Sequence, residues 1–383
     1  MFTIIQNGEI YAPEPRGRKT VLLIGDRIAR IADQAEIDVR AVEALGLPVE
    51  VVDAAGCIVT PGVIDPHMHL LGGSGEEGFA SRSPDLQWSE IVPCGTTTVV
   101  GLLGVDATTR TLPDLLAKVR GLEENGITGF CYTGHYGLPA VTFTGSVRDD
   151  LILIDKVIGV GEIALSDHRA SQPEPHELAR MAVDAHVGGI LSGKAGVIHF
   201  HLGEGGGRLA PLRALLEAEE IPPACLYPTH VERSEELVAE AAELTRRGCF
   251  VDMDTAEPGI EKWVAVFLER GGDPERLTLS TDSDSSAPKT LFEELRQVVD
   301  QGRLPLERAL ALVTANTASV LHLHGKGQLE PGRDADLLVL SKGELEVRHV
   351  VARGKLLVRD GDLLVRERFL EKSKREIHLV GKR

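Results

Sequence analysis

The sequence predicts an α/β fold: a (β/α)8 barrel of the TIM type joined to a small β-sandwich-like domain built from both termini. Three observations predict it. Through the middle of the 383-residue chain, apolar strand-like runs alternate with helical patterns, in eight units over roughly 250 residues. Both ends instead carry short β-branched runs around Asn-Gly, Gly-Asp, Arg-Gly and Asp-Gly turns. Polar residues gather at the C-terminal ends of the middle runs, the edge that carries chemistry in such a barrel.

The elements follow in order. FTIIQNGEIYAP, KTVLLIGDRIARIAD and VEVVDAAG give the N-terminal strands, up to Cys57. The barrel strands are CIVTPGVIDPHMHL, TTTVVGLLG, ITGFCYTGHYG, KVIGVGEIALSD, GVIHFHLG, ACLYPTH, GCFVDMDT and LTLSTDSDS. Between them lie helical stretches such as LPDLLAKVRGLEENG, HELARMAVDAHVGGIL, SEELVAEAAELTRRG and KTLFEELRQVVDQG. ADLLVL, EVRHVVARGKLLV and GDLLVRER return to the texture of the N-terminus. The expected division is residues 1–57 plus 330–383 for the small β domain and 58–329 for the barrel. An open doubly wound sheet is the alternative, but no GxGxxG opens a helix after the first strand.

Charge narrows the partners. With 41 Lys+Arg against 58 Asp+Glu the net charge is −17, which disfavours nucleic acid and anionic membrane. An acidic small molecule stays open, since its site needs only a few local cations. Cys57, Cys94, Cys131, Cys225 and Cys249 lie far apart with no CxxC pair, so neither a disulfide framework nor a cysteine-built zinc site is expected. MFTIIQNGEIYAPEPRGR lacks the layout of a signal peptide, and no apolar stretch reaches a membrane span. A reduced, cytoplasmic protein is expected.

His67, His69, Tyr136, Glu162, His201, His230 and Asp282 each fall near the C-terminal end of an apolar run. Alternate strand residues share a face, so His67 and His69 look the same way. An isolated HxH is usually just two polar residues at a strand end. Here lone histidines on strands five and six and an aspartate on strand eight join it, a set that suits zinc with a coordination position open to water. His199 competes with His201 on the same face, but lies deeper and reads as a hydrogen-bonded core histidine. His135 and His168 read as packing or supporting residues near that face.

These residues carry a resemblance. PGVIDPHMHLLGGSGEEG, TTTVVGLLG, YTGHYGLPAVTFTGSV, SDHR, THVER, LSTDSDSS and PGRDADLLVL together resemble the metal-dependent amidohydrolases over nearly the full chain. The GG-S-GE loop, SDHR and HVxR are similar to the isoaspartyl (β-aspartyl) dipeptidase subgroup. The resemblance implies a hydrolase of β-aspartyl dipeptides with two Zn2+ per chain, acting through a metal-bridging hydroxide, and a homo-oligomer, an octamer. It implies His67, His69 and Asp282 as ligands of one zinc and His201 and His230 as ligands of the other. Asp282 would also move the proton to the leaving amine, and Tyr136 would donate to the carbonyl oxygen. Glu76 and Gly75 of the glycine-rich loop would meet the substrate, Glu76 taking its amino group. Arg169, Arg233 and Ser286 would hold its carboxylates.

Two positions depart from the pattern. Where the family places a carboxylated lysine to bridge the metals, this chain has Glu162, with one residue more before SDHR. A glutamate can bridge directly, and the extra residue suggests a bulge that brings the shorter side chain closer. Lys156 and Lys194 lie at the wrong end of their strands to substitute. Val105 stands where the subgroup tends to have a substrate-contacting threonine. The rival readings are a hydantoinase-like or N-acyl hydrolase, which would not need Glu76 and two arginines, and a non-catalytic scaffold.

Overall fold

The computed structural model describes residues 2–218, 221–284 and 290–371. Five strands form the N-terminal part: β1 (Phe2–Tyr11), β2 (Pro15–Ile24), β3 (Arg27–Ala32), β4 (Val49–Asp53) and β5 (Cys57–Pro61). Eight follow in the middle: β6 (Val63–Met68), β7 (Thr96–Gly101), β8 (Thr128–Thr133), β9 (Val157–Leu165), β10 (Val197–Leu202), β11 (Leu226–Thr229), β12 (Val251–Asp254) and β13 (Leu277–Ser280). Four close the chain: β14 (Leu337–Ser341), β15 (Val347–Ala352), β16 (Lys355–Arg359) and β17 (Asp362–Leu363).

The middle strands make the curled parallel sheet of a TIM-type barrel. β6 to β11 pair in sequence order, and β12 pairs with β13. β6, β7, β9 and β10 are buried along their whole length, as expected of parallel strands covered on both faces. A parallel bridge from Met68 to Ser283, with the His69 amide 3.1 Å from the Ser283 carbonyl, joins the end of β13 to β6. On the other side, Thr229 Oγ1 donates to Asp252 Oδ2 at 2.8 Å, and Tyr227 lies 2.6 Å from Thr278 through their hydroxyls. Helices cover the outside because they begin and stop where the sequence allows. Thr111 caps Leu112–Glu124, Ser234 caps Glu235–Arg246, and Gly193 ends Pro175–Ser192 at φ 69°.

The terminal strands form one mixed nine-stranded sheet, in the order β17-β16-β15-β14-β5-β1-β2-β3 with β4 beside β1. Ile28 of β3 and Val351 and Leu356 near the opposite edge share one apolar core, so this sheet folds over on itself. The run 57–70, expected as a single strand, breaks at Gly62: β5 belongs to this sheet and β6 to the barrel. A Cβ at Gly62 would lie 2.2 Å from Thr97 Oγ1, so only glycine lets the chain pass there. Beneath the barrel, buried Lys326 pairs with Asp336 and, at 3.1 Å, with Asp334, tying the two units together.

Candidate metal and substrate site

The predicted strand-end residues converge. His67 of β6 and His69 just past its end turn into the barrel mouth while Met68 packs in the apolar core. His201 ends β10. His230 and Asp282 follow β11 and β13 with φ of 60° and 45°, a left-handed backbone that costs a non-glycine residue roughly 1–3 kcal/mol. Such strain persists where the surroundings fix it, and here it aims two side chains at one point.

Glu162 comes from a bulge. Ile198 pairs with Val160 but Phe200 pairs with Ile163, so Gly161 and Glu162 together face His199. A Cβ at Gly161 would sit 2.7 Å from the His199 carbonyl oxygen, which explains the glycine. The bulge delivers the Glu162 carboxylate into the centre of the histidines. Its Oε2 lies 3.2 Å from His201 Nδ1, 3.6 Å from His67 Nε2 and 3.7 Å from His230 Nε2. Its Oε1 lies 3.4 Å from His69 Nε2. Asp282 Oδ1 is 3.1 Å from His67 Nε2 and 3.2 Å from His69 Nε2.

The donor set fits divalent cations. His67 Nε2, Glu162 Oε1 and Asp282 Oδ1 are all buried without a hydrogen-bond partner, though they lie close together. Buried polar atoms left unpaired are costly unless something between them uses their lone pairs. Two overlapping groups of ligand atoms, His67–Glu162–His230 and His67–His69–Asp282, each lie within 4.8 Å. The cluster is a binuclear metal-binding site.

Supporting residues fix which ring nitrogens face inward. The Tyr227 carbonyl can only accept, so His199 Nδ1 donates to it at 2.9 Å. Burial holds the His199 pKa well below the usual imidazole value, so its ring is neutral and Nε2 must accept. His67 Nδ1 therefore donates to His199 Nε2 at 2.8 Å, leaving His67 Nε2 to face the centre. His230 Nδ1 likewise bonds Asp254 Oδ2 at 2.7 Å, and His201 Nε2 faces Asp167 Oδ2 at 3.2 Å. Burial alone would raise the Glu162 pKa, yet the His67, His201 and His230 imidazoles hold it well below the carboxylate range. Burial opposes charge on His67, but Glu162 and Asp282 outweigh it and lift its pKa to about 9. The carboxylates thus create a strong demand for positive charge.

Above this floor opens a cavity of about 450 Å³, lined by Gly75, Glu76, Val105, Tyr136, Arg169 and Arg233 among others. The Tyr136 hydroxyl lies 2.9 Å from His201 Nδ1, and burial, then Glu162, raise its pKa well above 10, so it stays a donor. Arg169 and Glu76, read from sequence as separate ligand contacts, bond each other at 2.6 Å. Ser286 lies outside the described residues. His199 is a hydrogen-bonded core histidine as expected, whereas His168 points to solvent with its side chain 87% exposed. Sequence reasoning overlooked Asp167 as a partner of Arg169 and His201; its place two residues before Arg169 was the available signal. Asp252 and Asp254 were visible as acids alternating on an apolar strand. Asp254 orients His230, while Asp252 is buried among hydroxyls that push against its burial, leaving its pKa at about 6.

Residues 58–357 match the model of the amidohydrolase family. A β-aspartyl dipeptidase from the thermophilic, keratin-degrading Fervidobacterium islandicum AW-1 superposes with a TM-score of 0.88 at 39% identity, covering 95% of this chain and 98% of that one. The chain belongs to the amidohydrolase family, in its β-aspartyl dipeptidase branch. The same Fervidobacterium enzyme in complex with β-Asp-Leu gives a TM-score of 0.89 at 37% identity, over 95% and 97% of the two chains. A D-hydantoinase at 18% identity and TM-score 0.67 shares the fold. An adenine deaminase of Ruegeria sp. is 26% identical over 95% of this chain, which spans 58% of that relative's length. Among the described residues no helix is long and apolar enough to cross a membrane.

Proposed function

We propose that this amidohydrolase cleaves β-aspartyl dipeptides with two Zn2+ per chain. One observation carries the reading: a single cavity joins a binuclear metal floor to a mouth where Glu76, Arg169 and Arg233 stand among its charged side chains. A β-aspartyl dipeptide presents the complement, one amine and two carboxylates around its isopeptide bond. The likeness to the Fervidobacterium enzyme bound to β-Asp-Leu supports this choice over the hydantoinase-like and N-acyl hydrolase readings.

His67, His69 and Asp282 would hold one cation, His201 and His230 the other, with Glu162 between them. Bound there, zinc lowers the pKa of water to about 7 and polarises a carbonyl. The protein groups do the rest. Glu76 and Gly75 receive the α-amino end, and Arg169, Arg233 and Ser286 the carboxylates. The Tyr136 hydroxyl donates to the scissile carbonyl oxygen as charge grows on it. Asp282 carries the proton from the attacking water to the leaving amide nitrogen. We further propose a cytoplasmic homo-oligomer, an octamer, which light scattering of the purified chain tests.

The deciding experiment compares β-Asp-Leu, α-Asp-Leu and a hydantoin on the zinc-loaded protein. An α-linked isomer displaces its amine and carboxylate from the scissile carbonyl, so their partners are left unpaired. The β-linked isomer should be strongly preferred. Equal cleavage of both peptides, or preference for the hydantoin, would assign the chain to another amidohydrolase activity.

A further inference from the structure

Arg169 is held on every side. Asp167 grips it with both oxygens, Oδ1 to Nε at 2.9 Å and Oδ2 to Nη2 at 2.7 Å. His201 Nε2 stands 3.1 Å from Nη2, and the guanidinium carbon lies 5.2 Å over the Tyr136 ring. The remaining nitrogen, Nη1, faces the mouth and is taken by Glu76 Oε1 at 2.6 Å. The two carboxylates are not equivalent. The Asp167 side chain is 4% exposed and fixed, while that of Glu76 is 48% exposed and free to leave. Arg233, on the same cavity, has no such partner among the described residues.

We infer that the Glu76–Arg169 pair is a latch opened by charge exchange, which selects ligands carrying an amine and a carboxylate together. The inference rests on the dipeptidase reading and deepens it. A ligand carboxylate reaching Nη1 must displace Glu76, and a ligand amine reaching Glu76 must displace Arg169. A ligand with both charges breaks one ion pair and forms two. A ligand with the carboxylate alone strands Glu76 beside a like charge; one with the amine alone leaves Arg169 Nη1 without its carboxylate. Arg110 donates to the Gly73 and Leu71 carbonyls at 2.7 and 3.0 Å, fixing the base of the Glu76 loop. Exchange is therefore a swing of the Glu76 side chain. Asp167 is the positioning residue that keeps Arg169 in place meanwhile.

Calorimetric titration of the zinc-loaded protein tests this without turnover. The ligands are L-aspartate, succinate (no amine), β-alanine (no α-carboxylate) and propanoate (neither). In the wild type, the affinity gained from both charges should exceed the product of the two single gains by about threefold or more, the scale of a partly exposed ion pair. In Glu76→Gln the product rule should hold, and succinate should bind more tightly than to the wild type. Comparing the two proteins cancels any coupling within the ligands themselves, and Glu76→Ala serves equally if the glutamine variant folds poorly. Gains that simply multiply in the wild type, succinate no tighter on the variant, or no binding of aspartate at all would each overturn the latch. Cleavage of β-Asp-Leu is scored separately. A protein that shows the coupling but does not cleave that peptide keeps the latch and loses the dipeptidase reading.

Discussion

His67 donates through Nδ1 to His199 Nε2 across 2.8 Å, so a residue outside the proposed ligand set decides which His67 nitrogen faces the metal floor. His199→Phe keeps a ring but offers no acceptor, freeing His67 to adopt the other tautomer. Loss of such a supporting bond typically costs about 10–100-fold in metal affinity. The variant is expected to lose one zinc in dialysis against a chelator that leaves the wild type with two, as read by elemental analysis. Unchanged zinc retention would show that the tautomer is set elsewhere.

Glu162 touches four imidazoles with its own carboxylate, so no carbamate has to form. Activity after metal removal and zinc addition should recover equally with and without bicarbonate. Glu162→Gln keeps the size but removes the charge between two cations, and zinc content or turnover should collapse. Recovery that depends on bicarbonate would point to a carboxylated lysine instead.

Asp282→Asn tests the proton path. The amide keeps an oxygen near His67 and His69 but cannot accept and return a proton at neutral pH. Loss of general acid–base catalysis costs about 10²–10⁴-fold, and the fall should appear in kcat with little change in KM. Retained turnover would assign proton transfer to another base. Asp254 is a poor substitute, because His230 already occupies its Oδ2.

Much of this site was legible because its residue types are out of place in apolar strands. Imidazoles in VIDPHMHL and VIHFHLG, and the aspartate in LSTDSDS, stand out against runs that are otherwise buried. Glu162 was legible by position, and the extra residue beside it by count. What the sequence concealed is pairing between distant segments. Glu76 and Arg169 are 93 residues apart, and each reads alone as a ligand contact. The passage from β5 to β6 was concealed for another reason: both strands are apolar and buried, so periodicity cannot say which sheet each joins. The pairings separate them, β5 with β1 and β14 and β6 with β7, on either side of Gly62.

The unit beneath the barrel offers a stability test. Lys326 is buried with Asp336, Asp334 and the Thr128 hydroxyl at 3.0 Å, and although burial works against its charge, the two carboxylates raise its pKa. Lys326→Met leaves Asp336 buried without its cation. Breaking a buried pair by removing one partner costs about 3–5 kcal/mol, so the denaturation midpoint should fall clearly. A midpoint within experimental error of the wild type would mean the pair is solvated.

Arg233 gives the sharpest separation of substrate binding from metal chemistry. It sits in the single turn Val231–Arg233, which His230 starts from a left-handed backbone, so the strained residue that aims an imidazole at the floor also projects this arginine to the mouth. Among the described residues its charge is not spent on another side chain, and it is free to meet a ligand carboxylate. Arg233 is exposed, so its pair with a ligand carboxylate is worth about 1 kcal/mol, and Arg233→Ala should lower kcat/KM for β-Asp-Leu about fivefold. The loss should fall mainly on KM, because Arg233 is not among the proposed metal ligands, and zinc content should stay at two per chain. Arg233→Lys should recover part of it, since a point charge replaces the guanidinium fork without its two-pronged fit. A normal KM in the alanine variant would remove Arg233 from the substrate site and leave Arg169 as the principal carboxylate partner.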